Sequence, residues 1–132
     1  MTKAVYTFGK AERLGEKKIL DDLFLNGEKI SVPGLTLLCK MEEKKSSIPA
    51  KAAFSVPKKN FKRAVDRNLL KRRMREAYRK NKPFASNAQH EFERIFYFMF
   101  IYTAHKINPS GEIESKIVLI LQHLKKASGI VE

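Results

Sequence analysis

The chain has no tryptophan and a single cysteine, Cys39, among its 132 residues. One thiol excludes an intramolecular disulfide and fits a reducing cytoplasm, so a packed core has to hold the fold. No long hydrophobic run is present. The longest, Ile95 to Ala104, is about half of what spans a bilayer. The opening residues MTKAVYTFGKAERL lack the apolar centre of a secretory signal. A cytoplasmic protein with no membrane partner is therefore expected. Enzyme signatures are missing too. There is no P-loop, no GxGxxG and no nucleophile elbow. His90, His105 and His123 share no ligand spacing, and His90-Glu91-Phe92-Glu93 lacks the paired histidines of a zinc helix. Asp21 and Asp22 are adjacent, so on a helix they diverge by ~100°. No catalytic residue and no metal ligand is assigned. Acidic residues are also scarce, 14 against 27 Lys and Arg, for a net charge of +13 and a pI near 10.0. A polyanion is the natural partner: nucleic acid first, an anionic membrane surface second.

What is present is concentrated. Lys58 to Lys82 carries twelve basic residues against Asp66 and Glu76, a local +10 out of the total +13. Around it the chain has an ordinary globular composition, 43% hydrophobic, and 132 residues fit one domain spanning 1–132 with flexible ends at 1–14 and 127–132.

Read in order, a helix is predicted from about Gly15-Glu16, with Ile19, Leu20, Leu23 and Phe24 at helical spacing and Asn26-Gly27 as its stop. Glu28 to Met41 turns to strands, broken at Val32-Pro33-Gly34. Lys51 to Val56 alternates as another strand, which Pro57 ends. Cys39 falls on the apolar side of its strand and reads as a small core hydrophobe. A basic helix follows, with Asn60 as its N-cap and Asn81-Lys82-Pro83 as its end. Pro83 to Gln89 reads as a loop. The Ile95 run reads as a central strand buried on both faces. A last helix is expected over about Glu112 to Lys126. Helices and strands in this order predict an α+β sandwich with helices packed on one small sheet.

On a helical wheel at ~100° per residue, Leu70, Met74, Ala77 and Tyr78 form a packing face. Asn68, Lys71, Arg72, Arg75 and Arg79 share an adjacent arc, with Arg67 at its edge. Glu76 is spaced to pair with Arg72, Arg73 and Lys80. Solvated faces usually mix signs, whereas like charges one turn apart cost a few tenths of a kcal/mol each. A polyanion relieves that cost, and the arginine fork suits phosphate. Lys58, Lys59, Lys62 and Arg63 add cations beside the helix N-terminus, where backbone N–H groups can also hold phosphate. A membrane-surface helix would need a broader apolar face than one containing Ala77. A helix-turn-helix is disfavoured because strands flank the basic helix. The residues point to an RNA- or DNA-backbone binder with no catalytic site of its own.

The lead-in Phe54-Ser55-Val56-Pro57-Lys58-Lys59 and the run Ala64 to Arg79, AVDRNLLKRRMREAYR, closely resemble the protein subunit of bacterial ribonuclease P. Leu14 to Gly27, the Ile95 run and Ile113 to Lys126 resemble the family's first helix, last strand and final helix. The resemblance implies α-β-β-β-α-β-α order in a two-layer sandwich, a four-stranded sheet with a left-handed βαβ crossover like the second domain of a small-subunit ribosomal protein. It implies an endoribonuclease holoenzyme, one protein to one catalytic RNA, that removes the 5′ leader of precursor tRNA. The Mg²⁺ would be held mainly by the RNA, no DNA would be bound, and the protein alone would not be catalytic. Lys58, Lys59, Lys62, Arg63, Arg67, Asn68, Lys71, Arg72, Arg75 and Arg79 would then bind RNA, and Leu20, Phe24 and Phe54 would line a leader cleft. Two positions depart from the family pattern. Leu69 replaces the second arginine of its Arg-Asn-Arg motif, and Leu20 replaces one of two aromatics on the first helix. The alternative is a ribosomal or general RNA-binding protein without a part in catalysis.

Overall fold

The computed structural model of the chain describes residues 8–82 and 91–128. Its central element is β4, Ile95–Tyr102, whose eight residues IFYFMFIY are buried except for Ile101, which is half-buried. On one side β4 pairs antiparallel with β2, Leu35–Glu42, from Leu35–Tyr102 to Glu42–Ile95. On the other it pairs in parallel with β3, Ala50–Ser55, from Ala50–Phe96 to Ser55–Ile101. β1, Glu28–Val32, lies antiparallel on the outer side of β2, giving the order β1-β2-β4-β3. Pro33-Gly34 joins β1 to β2. Gly34 has φ +87°, the left-handed value that the position after proline needs in a type II turn.

Three helices complete the sequence order: α1, Lys17–Asn26, before β1; α2, Ala64–Asn81, between the parallel strands β3 and β4; and α3, Ser110–Ser128, at the end. This is the expected α+β order. A 3₁₀ turn, Lys10–Glu12, precedes it. α3 runs slightly beyond the expected Glu112–Lys126 span at both ends. α1 ends where expected. The Gly27 N–H donates to the Leu23 carbonyl at 3.0 Å, and a Cβ there would stand 2.5 Å from the same oxygen, so only glycine fits without a shift.

Strand alternation splits the sheet into two faces. Leu35, Leu37, Cys39, Ala52, Phe54, Phe96, Phe98, Phe100 and Tyr102 face α2 and α3 and form the main core with Leu70, Met74, Tyr78, Ile113, Ile117 and Ile120. The aromatic rings interlock. Phe54 stacks on Phe100 at 5.4 Å, and Tyr78 meets both Phe98 and Phe100. The opposite face carries Leu38, Ile95, Tyr97 and Met99, with α1 laid across them through Leu23, Ile19 and Leu20. α1 thus covers the face that the sandwich of sheet, α2 and α3 leaves open. Burial pushes the Cys39 thiol up to about 12, with the Glu28 charge adding to it. We expect this thiol to react with a disulfide reagent at neutral pH only after unfolding; fast labelling of native protein would contradict its core position.

Residues 8–14 depart from the expected flexible lead-in. They form a strap along the outer edge of β3. The Leu14 N–H donates to the Ala52 carbonyl at 2.9 Å, and Phe8 packs edge-on against Phe54 and Tyr78. Glu12 and Lys82 hold the strap to the end of α2 in a buried pair at 2.5 Å, their side chains 9% and 2% exposed. Tyr6 and the loop expected at 83–89 lie outside the described residues, as do 129–132. Removing one partner strands a buried charge, at a cost of about 3 kcal/mol. Lys82→Met should therefore lower the urea-unfolding free energy by roughly that amount. A loss below about 1 kcal/mol would mean that water reaches Glu12 freely.

Candidate nucleic-acid interface

α2 is fixed by what it buries. Leu70 and Met74 have no exposed surface, and Ala77 and Tyr78 are nearly as closed. This is the packing face that helical spacing predicts. The helix does not start at an Asn60 cap. Asn60 belongs to a turn in which its N–H donates to the Pro57 carbonyl, and the cap position is Arg63, whose side chain makes no capping bond. Phe61 is buried beneath this loop against Tyr102, with ring centroids at 5.8 Å. Arg67 then reaches back, and one of its guanidinium nitrogens donates to the carbonyls of Phe61 and Lys62, both at 2.8 Å. Arg67, expected as an RNA contact, thus clips the basic loop onto the first turn of the helix. Its other nitrogens remain to be used.

The remaining cations of Lys58–Lys82 divide by side. Those facing α3 have protein partners. Arg73 donates to the Asn108 carbonyl at 2.7 Å, and Lys80 pairs with Glu114 at 3.4 Å. Glu76 takes Arg79 at 2.8 Å, not the Arg72, Arg73 or Lys80 allowed by spacing. This fork holds the Glu76 carboxyl below its ordinary range and raises Arg79. Arg63 stands 3.9 Å from Asp66. By contrast Lys58, Lys59, Lys62, Lys71, Arg72 and Arg75 make no hydrogen bond or ion pair among the described residues. Lys58, Lys59, Lys62, Asn68 and Arg72 are exposed, and Lys71 and Arg75 half-buried. Elsewhere some basic side chains find acids, Lys17 with Asp21, Lys40 with Asp22 and Lys51 with Glu16, and others, such as Lys18 and Lys29, make no ion pair among the described residues. Six unpaired cations thus lie close in sequence on the loop before α2 and on α2 itself, where Arg72 and Arg75 line a groove.

The expected leader cleft is not brought together. Leu20 lies half-buried on the α1 face of the sheet and Phe24 is 58% exposed on α1. Phe54 is on the other face, in the main core. The parallel register of β3 on β4 places Phe54 beside Phe100, and the period of two in a strand then puts Ala53 and Ser55, not Phe54, on the side of α1.

The model of the family Ribonuclease P matches residues 8–124. The chain belongs to the ribonuclease P family. Among curated relatives, the ribonuclease P protein component of Porphyromonas gingivalis is 33% identical over 88 residues, covering 67% of this chain and 64% of the relative. That of Chlorobium phaeobacteroides is 40% identical over 81 residues, 59% of this chain and 56% of the relative. The chain thus spans somewhat less than two thirds of the curated relatives it matches. The Staphylococcus aureus RNase P protein shares the fold, with a TM-score of 0.68 at 20% identity over 88% of this chain and 97% of that one. So does the RNase P protein of Thermotoga maritima, with a TM-score of 0.65 at 20% identity over 85% and 96%. The family match covers all of the described strap, Phe8 to Leu14. Arg13 on the strap, which sequence reading passed over, lines a groove with Arg75 and Arg79. No signal in the sequence marks it, because its inward-facing neighbour Glu12 is a charged residue whose partner, Lys82, lies seventy residues away.

Proposed function

We propose that the chain is the protein subunit of a ribonuclease P holoenzyme. Through the loop and outer side of α2 it binds a catalytic RNA, and it assists Mg²⁺-dependent removal of the 5′ leader from precursor tRNA. The observation that carries this reading is the set of six unpartnered cations, three on the loop before α2 and three on α2, whose other face is buried, in a chain of this family. Each cation that meets a phosphate releases counterions, and this lets two polyanionic RNAs approach at lower Mg²⁺. A single-stranded leader would lie on the α1 face. There Leu20 and Phe24 on α1, and the half-buried Ala53 and Ile101 of the sheet, offer apolar surface to bases.

Among the described residues no three His, Cys, Asp or Glu side chains converge to hold a metal ion. In this reading the Mg²⁺ is held mainly by the RNA, and the protein's part is binding and charge neutralisation. One Staphylococcus aureus neighbour is a mutant described as defective in mRNA degradation activity; at 20% identity that likeness carries the fold alone. The test is cleavage of precursor tRNA by the RNA subunit of the same organism at low Mg²⁺, with and without the protein. Clear stimulation is expected, and none would refute the subunit reading. A general RNA-binding protein would not discriminate precursor from mature tRNA, whereas a leader-holding subunit favours the precursor.

A further inference from the structure

The strap carries a cation in an unusually fixed position. Its backbone is extended at Arg13, with φ −88° and ψ 127°, so alternate side chains point in opposite directions. Glu12 turns inward to the Lys82 ammonium, and its other carboxylate oxygen accepts the Gly9 N–H at 3.3 Å. Leu14 turns inward at 6% exposure, next to the N–H that bonds Ala52. Arg13, between these anchors, turns outward. Its guanidinium lies over the Phe8 ring, 5.7 Å from the centroid, and it makes no hydrogen bond or ion pair among the described residues. Arg75, also without a hydrogen bond or ion pair among the described residues, lines the same groove. The acids lining the same groove are engaged: Glu76 by Arg79, and Glu114 by Lys80 and Asn81.

We infer that Arg13 and Arg75 form a two-sided clamp for one phosphodiester of the bound RNA, extending the α2 surface across Phe8 onto the strap. This rests on the RNA-binding reading above. Two guanidinium forks with no protein acceptor suit the oxygens of a phosphate. Both are held by buried neighbours, so little ordering is needed on binding. Phe8 forms the floor and is itself braced by Phe54 and Tyr78. The buried Glu12–Lys82 pair acquires a role here: it sets the distance between strap and helix.

The experiment measures affinity of the full chain for the RNA subunit of the same organism over a range of salt concentrations. Arg13→Gln, which removes the charge and keeps a polar side chain on the strap, should weaken binding on the order of tenfold at low salt and reduce the salt slope by about one. Arg75→Ala should do the same, and the double variant should lose less than the product of the two, because the residues share one phosphate. Arg13→Lys should keep the salt slope and lose only part of the affinity. Parent-like binding by Arg13→Gln, with Arg72→Ala weakened, would overturn the clamp and leave the RNA reading intact. Strictly multiplicative losses in the double variant would also overturn it. Parent-like binding by Arg13→Gln, Arg72→Ala and Arg75→Ala together would remove the RNA reading itself.

Discussion

Replacing Lys71, Arg72 and Arg75 together by alanine should reduce affinity for the ribonuclease P RNA on the order of a thousandfold at low salt, while the protein stays folded. The three side chains make no hydrogen bond or ion pair among the described residues, so removing them breaks no polar contact there. It also relieves like-charge repulsion between positions one turn apart, worth a few tenths of a kcal/mol each. Stability should be unchanged or slightly raised. Each lost phosphate contact takes ~0.7–0.9 from the slope of log affinity against log salt, so the slope should fall by about two to three. Titrations at several salt concentrations, with a urea melt in parallel, test both halves. A loss below about tenfold with an unchanged slope would move the RNA interface elsewhere.

Met74→Asp should have the opposite signature. Met74 is fully buried in the main core, one helical turn from Leu70 and Tyr78. A carboxylate there is enclosed by core side chains and must either be buried charged or take up a proton. Either way the cost is roughly 5 kcal/mol or more, comparable with the whole stability of a domain of this size. The folded-state pKa of the new carboxyl would be raised. The penalty would therefore be full above that raised value and shrink as pH falls towards the ordinary aspartate range. At neutral pH we expect no cooperative urea transition and a Cys39 thiol that labels without denaturant. Met74→Leu, nearly isosteric, should stay folded. A folded Met74→Asp that merely bound RNA weakly would mean that the two faces of α2 are wrongly assigned.

Much of this was legible in the residues because it depends on short-range period. The 3.6-residue spacing of Leu70, Met74, Ala77 and Tyr78 gives the buried face of α2 without knowledge of what covers it. The uniform apolarity of the Ile95 run gives a central strand. What was not legible depends on contacts between distant segments. Nothing near α1 says which face of the sheet it will cover, so Leu20 and Phe54 could not be placed relative to each other until the register of β3 on β4 was known. The strap looked polar because its anchor Glu12 finds its partner seventy residues away. Asn60 is a competent cap by chemistry, but its loop is closed by the Phe61 plug and by Arg67, which delays the helix to Ala64. Glu76 had several arginines in reach, and spacing alone does not choose among them.

The position of β4 has a consequence for the order of assembly. β4 is the penultimate element in the chain, yet it is the strand to which both β2 and β3 bond. During synthesis β1 and β2 can form their hairpin early, but β3 has no sheet to join until residues 95–102 leave the ribosome. Until then one edge of β2 is open and the apolar side of α2 is uncovered, on a segment of high positive charge. The parallel β3–β4 pairing closes a long loop, which makes for slow folding. Such an intermediate is exposed both to edge-to-edge aggregation and to premature capture by any RNA nearby. Expression yield should therefore depend more on how quickly the segment after α2 is completed than on the stability of the finished fold.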